Sequence, residues 1–200
     1  AVGDGATNDT TAINNAIAAA AAASSKRTVY LPAGTYNVTS LATIPTGITL
    51  VGENYQNTII RTTSATATIL TINATYVSVS NLGFASSTTQ SAGAYIAFGA
   101  SSGGCYVNNC LLSAPYRGMT FADGCGQIVI QDTAVFNAVA STGASLEISG
   151  ALVVSFISVL CTNSSGAKPF AHMIVHNCGD VTLVNTQLIL AESNLYFDPG

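Results

Sequence analysis

A chain of 200 residues fits one domain with a sizeable core. Only 7% of it is charged, against about 25% in an ordinary globular domain, and Ser, Thr, Asn, Gly and Ala make up the difference. A net charge of −4 with five Lys and Arg excludes the basic face that nucleic acid demands, and the 48% hydrophobic content excludes a disordered chain.

The longest apolar block, Ala16 to Ala23, falls far short of the roughly 18 residues of a membrane-spanning helix. The first residues show neither the basic stretch nor the apolar core of a secretory signal. After a Gly-Asp turn, "NDTTAINNAIAAAAAA" predicts one short helix. Asp9 or Thr10 is the expected N-cap, its side-chain oxygen taking first-turn amides. Ile13 and Ile17, four apart, share a face, and "SSKR" places Lys26 and Arg27 at the negative pole of the helix.

From residue 28 onward the pattern is β. "TVYLPAGTYNV" reads as strand, turn, strand, and "GITLVGENYQNTIIRTT" repeats it with Ile48, Leu50, Ile59 and Ile60 as apolar pegs. Five later segments ("YVSVSNLGF", "CYVNNCLLS", "IVIQDTAVF", "VVSFISVLC", "VTLVNTQLIL") share one layout, apolar pegs on both sides of a small polar residue. Those polar residues are Asn81, Asn109, Asp132, Ser158 and Asn185, at intervals of 28, 23, 26 and 27. Such a repeat, made only of strands and turns, predicts the coils of a parallel β-helix with the five residues in one column at a bend. Polar breaks in a β-sandwich give similar spacing only by coincidence. A solenoid core is open at its ends, so the helix is expected as an N-terminal lid. The expected division is a turn and capping helix over residues 1–27 and the β-helix over 28–200.

Five cysteines, Cys105, Cys110, Cys125, Cys161 and Cys178, exclude a fully paired disulfide framework. Without paired CxxC spacing they read as buried reduced thiols. Four Asn-x-Ser/Thr sites, at Asn8, Asn37, Asn73 and Asn163, are what chance gives in a chain so rich in Ser and Thr.

"GDGATNDTTAINNAI", "TVYLPAGTYNV" and "ITLVGEN" together resemble the start of pectate-lyase-like right-handed parallel β-helix proteins, a group that includes phage tailspikes and polysaccharide-degrading enzymes. The resemblance covers residues 3–53 and rests on Gly3, Asp4, Gly5, Asp9, Pro32, Gly34, Tyr36 and Gly52. It implies architecture, since the catalytic blocks familiar from the family are missing. Arg61 and Arg117 lie outside any R-x-P-x-x-R stretch, and there is neither an adjacent Asp pair nor a Gly-His-Gly.

Candidate chemistry is therefore thin. Asp123, Glu147 and His172 fall 14 or 15 residues after the polar column, which would stack two acids and an imidazole on one outer face. His172, His176 and Lys168 are the parts available for proton abstraction. The plainer readings make Asp123 a turn residue before Gly124 and Glu147 a solvated acid. Asp4 and Asp9 read as capping-loop residues and not as a calcium site, so neither metal nor cofactor is expected. Tyr95, Tyr106, Tyr116 and Tyr196 are either sugar-stacking rings or ordinary core and interface residues.

Two functions stay open. One is a virion or other extracellular surface appendage, expected as a homotrimer, that presents a neutral face to further subunits or to a bacterial surface polysaccharide. The other is a polysaccharide lyase or glycoside hydrolase, such as a phage depolymerase. Neither nucleic-acid binding nor membrane insertion is expected, and "ESNLYFDPG" offers no second cap, which leaves that end to a neighbouring chain or a further domain.

Overall fold

The computed structural model describes residues 1–25, 27–138, 144–163, 169–189, 191 and 193–198, with 193, 197 and 198 described by backbone only. Every strand pairing in it is parallel, and the strands form three sheets. Sheet B holds seven strands, from Thr28–Leu31 to Asp180–Val184, and sheet A eight, from Asp4–Asn8 to Gln187–Ile189. Sheet C holds six, from Leu70–Ile72 to Ser193–Asp198. The chain visits them in the order B, A, C, as in the coil Gly103–Asn108, Leu111–Ser113, Arg117–Phe121. This is the expected β-helix, an all-β parallel solenoid with one short helix, Thr10–Ala22, near its N-terminus.

The polar column is present at the bend from sheet B to sheet A. Asn81, Asn109, Asp132, Ser158 and Asn185 adopt φ of 57, 51, 46, 54 and 49°. Left-handed backbone turns the chain sharply, and short polar side chains tolerate it best. Each bend is two residues long, and the second one points inward, as Leu82, Cys110, Thr133 and Val159 do. Backbone amides climb the column from Asn81 to the Asn108 carbonyl and from Asn109 to that of Gln131, and side chains add Asn109 Nδ2 to Asn81 Oδ1 at 2.8 Å. At Asp132, whose side chain has no amide to donate, the carboxylate accepts instead from Gln131 Nε2 at 3.1 Å.

With register fixed, like residues stack inside. Leu50, Val79, Val107, Ile130 and Phe156 form one fully buried row of sheet B. On sheet C, Phe98 and Phe121 stack at 5.0 Å, and Phe121 meets Phe156 edge-on at 5.8 Å. Ile59 departs from expectation. Adjacent strand residues face opposite sides, so Ile60 is fully buried while Ile59 points outward and keeps part of its surface.

The helix closes the first coil with two surfaces. Ile13, Ile17 and Ala20 are buried and join the main core. Its polar side satisfies the first coil's free amides: Thr39 N donates to Thr10 Oγ1 at 3.0 Å and Ala42 N to Asn14 Oδ1 at 2.9 Å. Asp9 occupies the N-cap position but makes no capping hydrogen bond. Its carboxylate accepts instead from the amides of Val2 and Gly3, and Asn8 Oδ1 takes the Thr10 amide. Residues Asp4–Asn8, expected as a turn, are a strand that pairs with Gly34–Val38. At the far end, Arg27 donates to the Ala21 carbonyl at 3.1 Å, as the dipole argument requires, while Lys26 lies outside the described residues. The last coil is different: its inward-facing Leu183 and Leu195 are 42% and 40% exposed.

Two substitutions test this packing by urea unfolding. Ile17→Ala should cost about 2–5 kcal/mol, the usual result of emptying a buried aliphatic site. Asn109→Ala should cost about 2 kcal/mol by combining left-handed strain with a lost hydrogen bond, and Asn109→Gly less, because glycine removes the strain.

Candidate functional site

The three residues expected to stack on one face do not. In sheet C register, Glu147 lies between Thr120 and Ile174, while Ser145 is the neighbour of His172. Asp123 lies in the turn after Phe121, exposed, with its carboxylate against Gly150 of the next coil. Counting from the polar column failed because the connection from sheet A to sheet C varies in length from coil to coil.

His172 is inside the protein. Its strand position faces away from the sheet C core rows, but the sheet A corner folds over it, and it is fully buried. Tyr95, two coils below Ser145, is buried for the same reason, with its hydroxyl donating to the Ser113 carbonyl at 2.7 Å. The Ile189 carbonyl can only accept, so His172 Nε2 carries the proton at 2.6 Å and Nδ1 accepts from Ser145 Oγ at 2.9 Å. Burial holds the imidazole below its ordinary value of 6.5, and the Ile189 carbonyl offsets this only partly. The ring is enclosed, with both nitrogens engaged by protein partners. His176, four residues on, is half-buried at the end of the same strand, and Lys168 lies outside the described residues.

What sheet C does present outward is the row Thr71, Ala97, Thr120, Glu147, Ile174 and Tyr196. Leu146 and Ile148 are buried, so Glu147 points out, as its flanking residues imply. Its carboxylate is bound by Arg117 Nε from the coil below, both side chains keeping 23–31% of their surface in solvent. The Arg117 guanidinium also lies 4.8 Å from the centre of the Tyr116 ring. Tyr196 meets Phe170 edge-on at 5.0 Å. The result is a partly exposed ion pair set among hydroxyls and aromatic edges. The Arg117–Glu147 partnership was not visible in the sequence, because it joins residues 30 apart through a register no local motif encodes.

Two charges of the first coils are already engaged. Arg61 donates to the Gly5 carbonyl and to Asn37 Oδ1, tying the first coils together. Asp4 accepts from the Ala6 and Thr7 amides and the Thr7 hydroxyl, and those backbone bonds hold its carboxyl below the usual range. Among the described residues no three His, Cys, Asp or Glu side chains gather in a metal-binding group.

Residues 1–92 match the family model described as rhamnogalacturonase A/epimerase, pectate lyase-like. A candidate glycosyl hydrolase from Parabacteroides merdae superposes with TM-score 0.70 at 11% identity, over 92% of this chain and 90% of that one. A pectin methylesterase in complex with a hexasaccharide gives 0.60 at 12%, over 98% and 79%. The A-module of the Azotobacter vinelandii mannuronan C-5 epimerase AlgE4 gives 0.51 at 17%, over 94% and 75%. This chain has the parallel β-helix fold, and its first 92 residues match the pectate-lyase-like family model. No curated protein matches its sequence.

The family-like residues of this β-helix lock its first coil. Tyr36 hydroxyl donates to the Pro32 carbonyl at 2.8 Å and its ring lies against Gly3, while a Cβ on Gly34 would meet the Gly3 carbonyl oxygen at 2.8 Å. They are structural, as the resemblance implied. All five cysteines are free, four of them buried and Cys178 half-buried. Burial pushes the Cys110 and Cys161 thiols up to about 12 and Cys125 to about 11, so these stay protonated and unreactive at neutral pH.

His172 makes stability depend on pH. Its folded value is depressed, so the unfolded chain takes the proton first, and stability present above about 6.5 is lost as pH falls below that value. His172→Gln should be less stable than the wild type at pH 8 and show a shallower decline of melting temperature between pH 7 and pH 5.

Proposed function

We propose that this β-helix is a polysaccharide-binding protein of a surface or virion appendage, and that the outer face of sheet C holds the glycan. The observation that carries the reading is the state of Glu147. Glycoside hydrolysis by the usual route needs two carboxyl groups about 5–9 Å apart with distinct protonation states. Among the described side chains of sheet C, Glu147 is the one carboxylate, and Arg117 binds it. An ion pair in that arrangement recognises hydroxyls and acidic sugar groups but supplies no acid–base couple.

Further support comes from the surface around it. Thr71, Thr120 and Tyr196 offer hydroxyls along one outward row, and the chain's scarcity of charge suits a ligand met by neutral hydrogen bonds. The names of the pectin methylesterase and the mannuronan epimerase attach polysaccharide substrates to this fold. Homotrimeric assembly and attachment to a virion are the finer part of the proposal.

The test is incubation with acidic and neutral bacterial polysaccharides, followed by measurements of binding, new reducing ends and unsaturated-sugar absorbance. Binding without product, weakened about tenfold or more by Arg117→Ala, is the expected result. Product formation abolished by Glu147→Gln would replace this reading with a lyase or hydrolase.

A further inference from the structure

A second surface lies around the corner from Glu147, where the chain passes from sheet C to sheet B. Tyr76, Gly104 and Gln127 occupy this corner in three successive coils, with φ of 59, 62 and 56°. A left-handed backbone is easy for glycine and unfavourable for a bulky aromatic residue. Tyr76 nevertheless stands there with 72% of its surface exposed, so burial does not explain it. The coil above is shaped to suit the ring: a Cβ on Gly104 would meet Tyr76 Cδ1 at 2.8 Å. Tyr106, two residues past Gly104, faces outward beside Ser78 and is 51% exposed. A shallow groove of about 320 Å³ at the same corner is lined by Gly103, Gly126, Gln127, Leu152 and Val153.

We infer that Tyr76 and Tyr106 form an aromatic platform for a neutral pyranose of a polysaccharide chain. A pyranose presents an apolar C–H face and a rim of hydroxyls. Tyrosine supplies an apolar ring with a polar tip, and glycine lets backbone groups approach a ligand closely. The charge pattern favours the neutral sugar: the outward rows through Tyr106 and Asn108 contain no charged residue and offer Ser78, Ser80 and Gln131, while the charge on this face, Asp180, lies three coils above Gly103 in the row at the corner. A second copy of the chain fits less well. A protein interface needs a contiguous apolar centre, and here Ser78, Ser80, Asn108 and Gln131 place hydroxyls and amides around Tyr106. The inference rests on the glycan-binding reading and adds a subsite of different chemistry to it.

Electrophoresis through gels cast with dextran, galactomannan or polygalacturonate separates the possibilities. The neutral polymers should retard the wild type. Tyr76→Gly and Tyr106→Ala should each weaken that retardation about tenfold or more. Tyr76→Gly should also melt at or above the wild-type temperature, since glycine relieves the left-handed backbone; a ring needed for packing would lower it. Unchanged retardation of Tyr76→Gly overturns the inference, as does conversion of an oligomer to monomer by that substitution. Retardation by polygalacturonate alone, lost in Arg117→Ala, overturns it and leaves the sheet C reading standing. No retardation by any polymer removes both.

Discussion

Everything in this molecule depends on coils that stack in register, and the left-handed bend between sheets B and A holds that register. A parallel strand that slips by one residue exchanges its inner and outer faces. Slippage is opposed here by a two-residue corner that repeats five times with one geometry, small and polar outside, mostly apolar inside. The amide ladder from Asn109 to Asn81 adds a directional bond that only the correct register allows. Phenylalanine stacking within the column follows from this alignment.

The same constraint explains the economy of charge. A solenoid wall is mostly backbone hydrogen-bonded to backbone, so its outer rows need side chains that tolerate close, repeated neighbours. Stacked like charges about 4.8 Å apart would repel at every step, and hydroxyls and amides do not. Several of the few charges serve joints: Arg27 at the helix end, Arg61 between the first coils, Asp9 on the N-terminal amides. Arg117 and Glu147 instead pair with each other on an outward face, and that is why they carry the functional reading.

Architecture was legible because its signals are local or periodic. The helix, its isoleucine face and the polar column can each be read from residue type and spacing, and Asn81 through Asn185 sit at one bend as expected. The candidate site was not legible, for a reason visible in His172. Its strand parity points outward, yet the corner at Ile189 covers it, and no pattern within its own strand reports a cover supplied by another sheet. Asp123 and Glu147 fell out of line because the third connection varies in length, so a count from the column drifts by two or three residues before it reaches sheet C. Asp9 shows the same limit at short range: its position before the helix was evident, but the amides it binds belong to Val2 and Gly3.

Disulfide trapping across neighbouring coils tests the stacking most directly. Ser80 and Asn108 are paired outward residues of adjacent coils, about 4.8 Å apart by the spacing of strands and within the range a disulfide spans. The Ser80→Cys/Asn108→Cys variant should form that bond under mild oxidation and keep its fold. Ser80→Cys/Gln131→Cys, two coils apart, should not. Equal cross-linking of both pairs, or none in the first, would contradict a column of coils held in this register.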